Sequence, residues 1–534
     1  MKQRPRPQKL TSLEQSQLAE AQRLFDGGHF APARELCARL LSRKPRAPEP
    51  LLLQAWICAE EADFFAAQQA VERAAALLPT DPGVQAWAAQ LCSDAGDLRA
   101  AETYEQQALK LQATDPAALR SLAASFTNAE RYLEALPCYQ RLLQLEPWSV
   151  GNCMNVAYSA RFAGDMALAE KLLLEVLDHD PGFFQAQFAL SQLRTADPGQ
   201  NHIDWFEASL AANRDKPQAR SFLGYALGKE YEDLGDFERA FDRYSLAADS
   251  VSRNRKQVQA DIEVIHRLRE QSSALPAVPD GEAGQGMVFI IGLPRTGTTL
   301  LDRILGGHSC IENSGELLAF PFSTHRCLGL TVRGAMSSGL LDKLAGLDYD
   351  ELGRAYLACL PQRLLQTGFM TDKNPINFLY AGLIARALPA AKIIHIRRHP
   401  MDSCFSNFKQ LFAPGAYLHS YDLPAMAAYY SAYSALAELW QDTLGDRYLE
   451  VCYEDLVVDY EREARRLLAS CGLDWEDGIR QFFARRSSVG SASFAQVRQP
   501  VYSTSVARWR QFESQLQPLR QALLDQGIPE SALA

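Results

Sequence analysis

VFIIGLPRTGTTLLDRIL, Val288 to Leu305, decides how the second half of this chain folds. The apolar run from Val288 to Ile291 reads as a buried strand, and Leu300, Leu301, Ile304 and Leu305 recur at helical spacing. A glycine-containing turn joins them, so the layout is strand, loop, helix. Gly292 and Gly297 take the two glycine positions of the pattern GxxxxGK[ST], in which backbone N–H groups and a helix N-terminus converge on an anion. Thr298 stands where that pattern has lysine. The cation sits inside the loop instead, at Arg295, and two hydroxyls follow at Thr298 and Thr299. The stretch predicts a site for a phosphate-like group other than the β,γ-phosphates of ATP.

About a hundred residues later comes KIIHIRRHPMDSCFSNFKQLF, Lys392 to Phe412. Its β-branched start predicts a second strand ending at Arg398, a turn at His399 and Pro400, and a helix that carries Ser406 two turns further on. A guanidinium fork and a hydroxyl suit a dianionic phosphate. RYLEVCYEDLV, Arg447 to Val457, predicts a third strand, and the alternation of strands with helical segments is that of a parallel α/β sheet.

The pattern PRTGTT resembles the 5′-phosphosulfate loop of sulfotransferases, the enzymes that use 3′-phosphoadenosine 5′-phosphosulfate (PAPS). The resemblance implies a P-loop-like α/β sulfotransferase domain that binds PAPS through Arg295, Thr296, Gly297, Thr298 and Thr299. It also implies that Arg398 and Ser406 hold the 3′-phosphate, and that Tyr453, in VCYEDLV, lies near the adenine or a cofactor phosphate. QVRQPVYSTSVARW, Gln496 to Trp509, resembles the basic loop over the nucleotide and points to Arg498, Ser505 and Arg508. Two further groups are similar to those of tyrosylprotein sulfotransferases. Glu316, in ENSGELLAF, takes the position of the base, and Lys373, in TDKNP, that of the cation bridging sulfuryl oxygen and leaving phosphate. Arg295 would assist at the same centre. Without the resemblance, Glu316 is equally a charge near a helix start, and Lys373 reads as a loop lysine. His308, His395 and His399 lack metal-site spacing, and no metal is assigned.

At 534 residues the chain suggests two to four domains, and 47% hydrophobic with 22% charged residues is a globular composition. A net charge of −10 argues against general nucleic-acid binding. The eleven cysteines form no CxxC pair and read as reduced thiols. The basic N-terminus leads into polar residues rather than a signal core, and no apolar run approaches the ~20 residues that span a bilayer. No membrane anchor is expected, and the default compartment is the cytoplasm. The missing anchor, the lack of an evident disulfide pair and a repeat array in front set the chain apart from tyrosylprotein sulfotransferases.

That array fills the N-terminal half. Phe30, Phe64, Leu98, Tyr132 and Met166 lie 34 positions apart, and each is followed three residues later by Ala33, Ala67, Ala101, Ala135 or Ala169. Prolines at 48, 82, 116, 147 and 181 are expected to close the units. The period resembles tetratricopeptide repeats, which implies helix pairs stacked into an α-solenoid. GDFERAF, Gly235 to Phe241, repeats the signature after a small insertion around Asn201 to Lys216, and a long polar helix from Tyr244 to Glu270 is expected to cap the array. The Pro-, Gly- and Ala-rich tract 271–286 reads as a linker. The expected division is a tetratricopeptide-repeat solenoid over 12–270, the linker 271–286, and the sulfotransferase domain over 287–525. This order is similar to that of bacterial tetratricopeptide-repeat sulfotransferases.

Together these features point to a PAPS-dependent sulfotransferase in which the repeats dock a protein or peptide acceptor, with a tyrosine hydroxyl as the leading candidate. A carbohydrate or small-metabolite acceptor is the alternative within the fold, and a catalytically inactive repeat scaffold the alternative outside it. A nucleotide kinase is disfavoured because Thr298 replaces lysine and no Walker-B aspartate stands out.

Overall fold

Each residue of the 34-residue beat begins a helix: Phe30–Arg43, Phe64–Leu77, Leu98–Lys110, Tyr132–Leu145 and Met166–His179. The computed structural model that shows this describes residues 6–146, 148–251, 254–331, 336–366, 368–484, 501 and 504–534. The start of these helices is chemical. Asp63, Asp97, Asp165 and Asp236 each precede such a helix and accept a backbone N–H of its first turn, at 3.2, 3.0, 3.0 and 3.1 Å. Ala33, Ala67, Ala101, Ala135 and Ala169 are all fully buried, where a small side chain lets two helices approach.

Three of the prolines act at the opposite end of the unit from the one expected, whereas Pro181 lies in the turn after Met166–His179. Pro48, Pro82 and Pro116 are the first residues of helices Pro48–Glu60, Pro82–Asp94 and Pro116–Asn128, where a missing N–H costs no hydrogen bond, so they open units rather than close them. Pro147 lies outside the described residues. The expected long helix is two, Phe237–Ser250 and Arg255–Gln271, and Asn254 caps the second by accepting Gln257 N–H at 3.2 Å.

The chain forms two compact units that do not follow its order. One comprises Met1–Trp148 with the runs Leu317–Ala335 and Gly346–Gln366. Within it Arg99 Nε donates to Leu360 O at 2.8 Å, Arg326 Nη2 to Gln68 Oε1 at 3.2 Å, and Phe322 packs on Gly96. The other comprises Ser149–Glu316, Met336–Ala345 and Thr367–Ala534.

The second unit holds five parallel strands: β1 Met287–Ile291, β2 Ile311–Asn313, β3 Phe369–Lys373, β4 Lys392–Arg397 and β5 Tyr448–Cys452. They lie in the order β2-β3-β1-β4-β5. β1 is buried throughout, as a central strand covered on both faces must be, which explains its unbroken apolar run. Val288, Ile290, Leu301, Ile304, Ile394, Ile396 and Val451 form one core between the sheet and its first helix. The tract 271–286 is tied to this unit, with Met370 N–H donating to Gly286 O at 2.9 Å and Ala390 N–H to Ala283 O at 3.0 Å. None of the eleven cysteines forms a disulfide, and no helix among the described residues is long and apolar enough to cross a membrane.

Candidate functional site

The carboxyl ends of parallel strands are where an open α/β sheet presents its loops to a ligand. Each of the five strands delivers a candidate residue there. Arg295 follows β1, Glu316 follows β2, Lys373 ends β3, Arg398 follows β4, and Tyr453 follows β5. β1 is central, and its partners Lys373 (opposite Ile290) and His395 (opposite Ile291) bring β3 and β4 to either side of the loop that leaves β1.

That loop runs from Gly292 to Gly297 into the helix Thr298–Leu305. Gly297 has φ +102°, and a Cβ there would lie 2.4 Å from the Tyr453 ring, so only glycine fits the turn as built. A Cβ at Gly292 would meet Ile396 O at 2.8 Å. Arg295 adopts φ 68°, a left-handed conformation uncommon outside glycine and frequent at binding loops. Thr296 Oγ1 donates to Leu293 O at 2.8 Å and braces the loop from inside. Thr298 and Thr299 are buried in the first turn of the helix, where backbone N–H groups have no intrahelical acceptor.

Arg398 is buried and ties the loop after β1 to the stretch that carries Ser505. Its Nη1 donates to Arg295 O at 3.0 Å and its Nη2 to Ser505 O at 2.5 Å. Its guanidinium lies 4.8 Å from the centre of the Tyr453 ring, and Tyr453 Oη and Ser505 Oγ are hydrogen-bonded at 2.6 Å. Arg398 Nε is buried without a hydrogen-bond partner among the described residues, a donor of the kind an anion satisfies. Ser406 is buried on the helix Pro400–Phe408. Asn407, which the sequence did not single out, ties that helix to the loop by donating to Pro294 O at 2.8 Å. Asp402 accepts Trp509 N–H at 2.9 Å.

At the other end, Lys373 Nζ is ion-paired with the carboxylate of Glu316. The Lys373 side chain is 2% exposed and that of Glu316 36%, so the pair bridges interior and solvent. Lys373 N–H donates to Gly315 O at 3.1 Å, which fixes Glu316 against β3. Lys373 is therefore a strand residue, not the loop lysine its local sequence suggests. Behind it, Asp302 of the loop helix accepts Thr371 Oγ1 at 2.6 Å and Asn313 Nδ2 at 2.8 Å. Burial pushes the Asp302 carboxyl above the ordinary aspartate range, and the nearby Lys373 charge opposes that rise. Nothing in the local sequence distinguishes Asp302 from a surface helix aspartate.

The candidates are thus not all in one place. Arg295, Thr296, Gly297, Arg398, Tyr453 and Ser505 are brought together, and Lys373 and Glu316 form a pair on the neighbouring strands. Arg508 is engaged elsewhere, with Nε donating to Glu232 Oε1 at 3.1 Å. Arg498 lies outside the described residues. His308, Cys310 and Glu476 cluster, yet both ring nitrogens of His308 are engaged, Nδ1 by Cys310 N–H at 3.0 Å and Nε2 with Asp474 O at 3.1 Å.

A sulfotransferase family model matches residues 287–477. An uncharacterised protein of Aquifex aeolicus is 27% identical over 414 residues, which is 73% of this chain and 52% of that protein. Protein-tyrosine sulfotransferase 1 of Danio rerio is 25% identical over 240 residues, 42% of this chain and 65% of that enzyme. The chain thus spans about half to two thirds of the length of these two relatives. Among solved structures, the sulfotransferase domain of the Synechococcus PCC 7002 olefin synthase is 25% identical and covers 44% of this chain and 91% of that one, at a TM-score of 0.33. The C-terminal half of the chain carries a sulfotransferase-family domain, set behind an N-terminal array of tetratricopeptide-like helix pairs.

Proposed function

We propose that this protein transfers a sulfuryl group from PAPS to an acceptor hydroxyl, with a tyrosine of a protein or peptide docked by the repeats as the acceptor. The observation that carries the reading is the convergence of one candidate residue from each of the five strands on the carboxyl edge of the sheet. The donor set suits the cofactor. Arg398 with Ser406 would hold the 3′-phosphate, Tyr453 and Ser505 would flank it, and Arg295, Thr298, Thr299 and the helix N-terminus would hold the 5′-phosphosulfate. PAPS supplies the activated sulfuryl group when bound.

The chain's own residues supply the rest. Glu316 takes the proton of the acceptor hydroxyl on its carboxylate, which is open enough to solvent to receive an acceptor. Lys373 orients that carboxylate and offers an ammonium to charge that develops beside it. Arg295 adds a guanidinium from the loop itself. The likeness to a protein-tyrosine sulfotransferase supports a phenolic acceptor, and the helix pairs supply a surface on which a peptide can dock.

The test is thermal unfolding with 3′-phosphoadenosine 5′-phosphate, beside Mg·ATP. At a hundred times its Kd, a ligand of the folded state adds ~2.7 kcal/mol, a clear rise in Tm. The bisphosphate is expected to give that rise, and Arg398→Ala to abolish it. A rise with Mg·ATP alone would instead identify a kinase-like protein. No rise with either would leave a scaffold.

A further inference from the structure

Glu232 sits near the end of the helix Pro217–Asp233, outside the residues 287–477 that match the sulfotransferase model, and is 8% exposed. Three side chains converge on its carboxylate. Lys409 Nζ donates to Oε1 at 2.6 Å, Arg508 Nε donates to the same oxygen at 3.1 Å, and Tyr244 Oη donates to Oε2 at 2.9 Å. Arg508 Nη2 also reaches Glu232 O at 3.4 Å. Burial opposes the charge of Glu232, but Lys409 and Arg508 outweigh it and hold the carboxyl below its ordinary range.

The two cations are placed tellingly. Lys409 follows directly on the helix Pro400–Phe408 and lies three residues after Ser406. Arg508 lies three residues after Ser505, whose carbonyl and hydroxyl contact Arg398 and Tyr453. One carboxylate therefore clamps together two separate stretches of chain, each bearing part of the phosphate end. Aromatic packing from the same helix pair supports the clamp. Phe241 stacks on Phe405 and Phe408 at centroid distances of 6.4 and 6.0 Å, Phe237 meets Phe512 at 5.2 Å, and Tyr225 Oη donates to Phe408 O at 3.1 Å.

We infer that Glu232 is a positioning residue for the cofactor: by cross-linking Lys409 and Arg508 it holds Ser505 on Arg398, so that the last repeat-like helix pair is an integral part of the bisphosphate site. The inference rests on the PAPS reading above. Glutamine at this position cannot neutralise two half-buried cations. Lys409 and Arg508 would then repel each other, and the stretch bearing Ser505 would leave Arg398.

The test is calorimetric titration of the full chain with 3′-phosphoadenosine 5′-phosphate, combined with steady-state kinetics. Glu232→Gln is expected to weaken bisphosphate binding about tenfold, the loss usual when a group holding a binding residue is cut away. Glu232→Asp should recover part of it. The KM for the sulfuryl donor should rise while the KM for the acceptor and kcat at saturating donor stay the same, a split that general destabilisation does not produce. Tyr244→Phe keeps both ion pairs and is expected to cost about threefold, so it serves should Glu232→Gln not fold. Unchanged or tighter binding in these variants overturns the inference alone. Absence of binding by the unmodified protein overturns the cofactor reading and the inference with it.

Discussion

In the repeats, Glu105 accepts Ser125 Oγ at 2.7 Å and Arg131 Nη1 at 2.5 Å, and Asn128 Nδ2 donates to Asp94 at 2.7 Å, with partners 20, 26 and 34 residues apart. At the strand ends, Arg398 reaches the carbonyls of Arg295 and Ser505, 103 and 107 residues away. Both regions bury charge, but one satisfies it between adjacent repeats and the other across most of a domain. A polar group paired locally stabilises the helices that carry it. A group paired at long range exists as a site only when the whole sheet is assembled, and several such groups at one edge are the mark of function rather than of support.

The sharpest way to break this distinction is at Glu316. If the strand-end residues are chemical rather than structural, Glu316→Gln lowers kcat by about 10²–10⁴, the usual share of a general base. Affinity for the desulfated bisphosphate should stay close to that of the unmodified protein, since the proposed phosphate end rests on Arg398, Tyr453 and Ser505. Single-turnover sulfuryl transfer to a tyrosine peptide, alongside calorimetry with the bisphosphate, separates the two effects. Equal loss of both would mean that Glu316 supports the fold of the site and not its chemistry.

A pair of glycines sharpens the same contrast with smaller effects. Gly297 (φ +102°) and Gly235 (φ +81°) both occupy left-handed backbone, but a Cβ at Gly297 meets the Tyr453 ring at 2.4 Å and one at Gly235 meets nothing within 4 Å. Alanine at either carries backbone strain of roughly 1–2 kcal/mol. Gly297→Ala must in addition displace Tyr453, which is held by Ser505 and Arg398, and is expected to weaken bisphosphate binding about tenfold. Gly235→Ala should lower Tm alone. Equal effects on binding would show that the turn after β1 needs glycine for its backbone only.

What the sequence made legible follows the same division. The 34-residue beat and the run from Val288 to Leu305 were readable because their signals lie within one or two turns of the residues they govern. The placement of Arg398 after a strand and of Ser406 on the helix that follows was readable for that reason too. β2 and β3 escaped notice because Ile311–Asn313 is only three residues long and Phe369–Lys373 mixes polar with apolar positions. Asp302, Asn407 and Glu232 carry no local signature, since what distinguishes each is a partner that only the fold brings near. The break between Phe237–Ser250 and Arg255–Gln271 has no proline or glycine to announce it, and its one usable signal was Asn254 as a cap. Proline at the 34-residue beat was readable as punctuation but not as to side, because the residue suits a helix start as well as the stretch after a helix end.

The smallest predicted effect concerns a repeat aspartate whose charge meets no partner cation among the described residues. Asp94 is the last residue of Pro82–Asp94, where a negative charge opposes the helix dipole, and burial pushes its carboxyl from 3.8 up to about 6. Its hydrogen bond from Asn128 only partly offsets that rise. Because the folded form binds the proton more tightly than the unfolded chain, the native state is protonated in excess between about pH 4 and pH 6, and stability falls as pH rises through that window. Above it the penalty is constant. Asparagine keeps an acceptor for Asn128 and removes the charge, so Asp94→Asn is expected to stabilise the protein by about 1–2 kcal/mol at pH 7.5, with the gain shrinking below pH 6 and vanishing near pH 4. Chemical denaturation at pH 4, 5, 6 and 7.5 checks the trend, and kcat should not move. A gain that persisted at pH 4 would assign the effect to helix propensity rather than to a buried charge. A loss at every pH would mean that Asp94 is held in the ionised form by its neighbours, and that the repeats also place charge where it is needed.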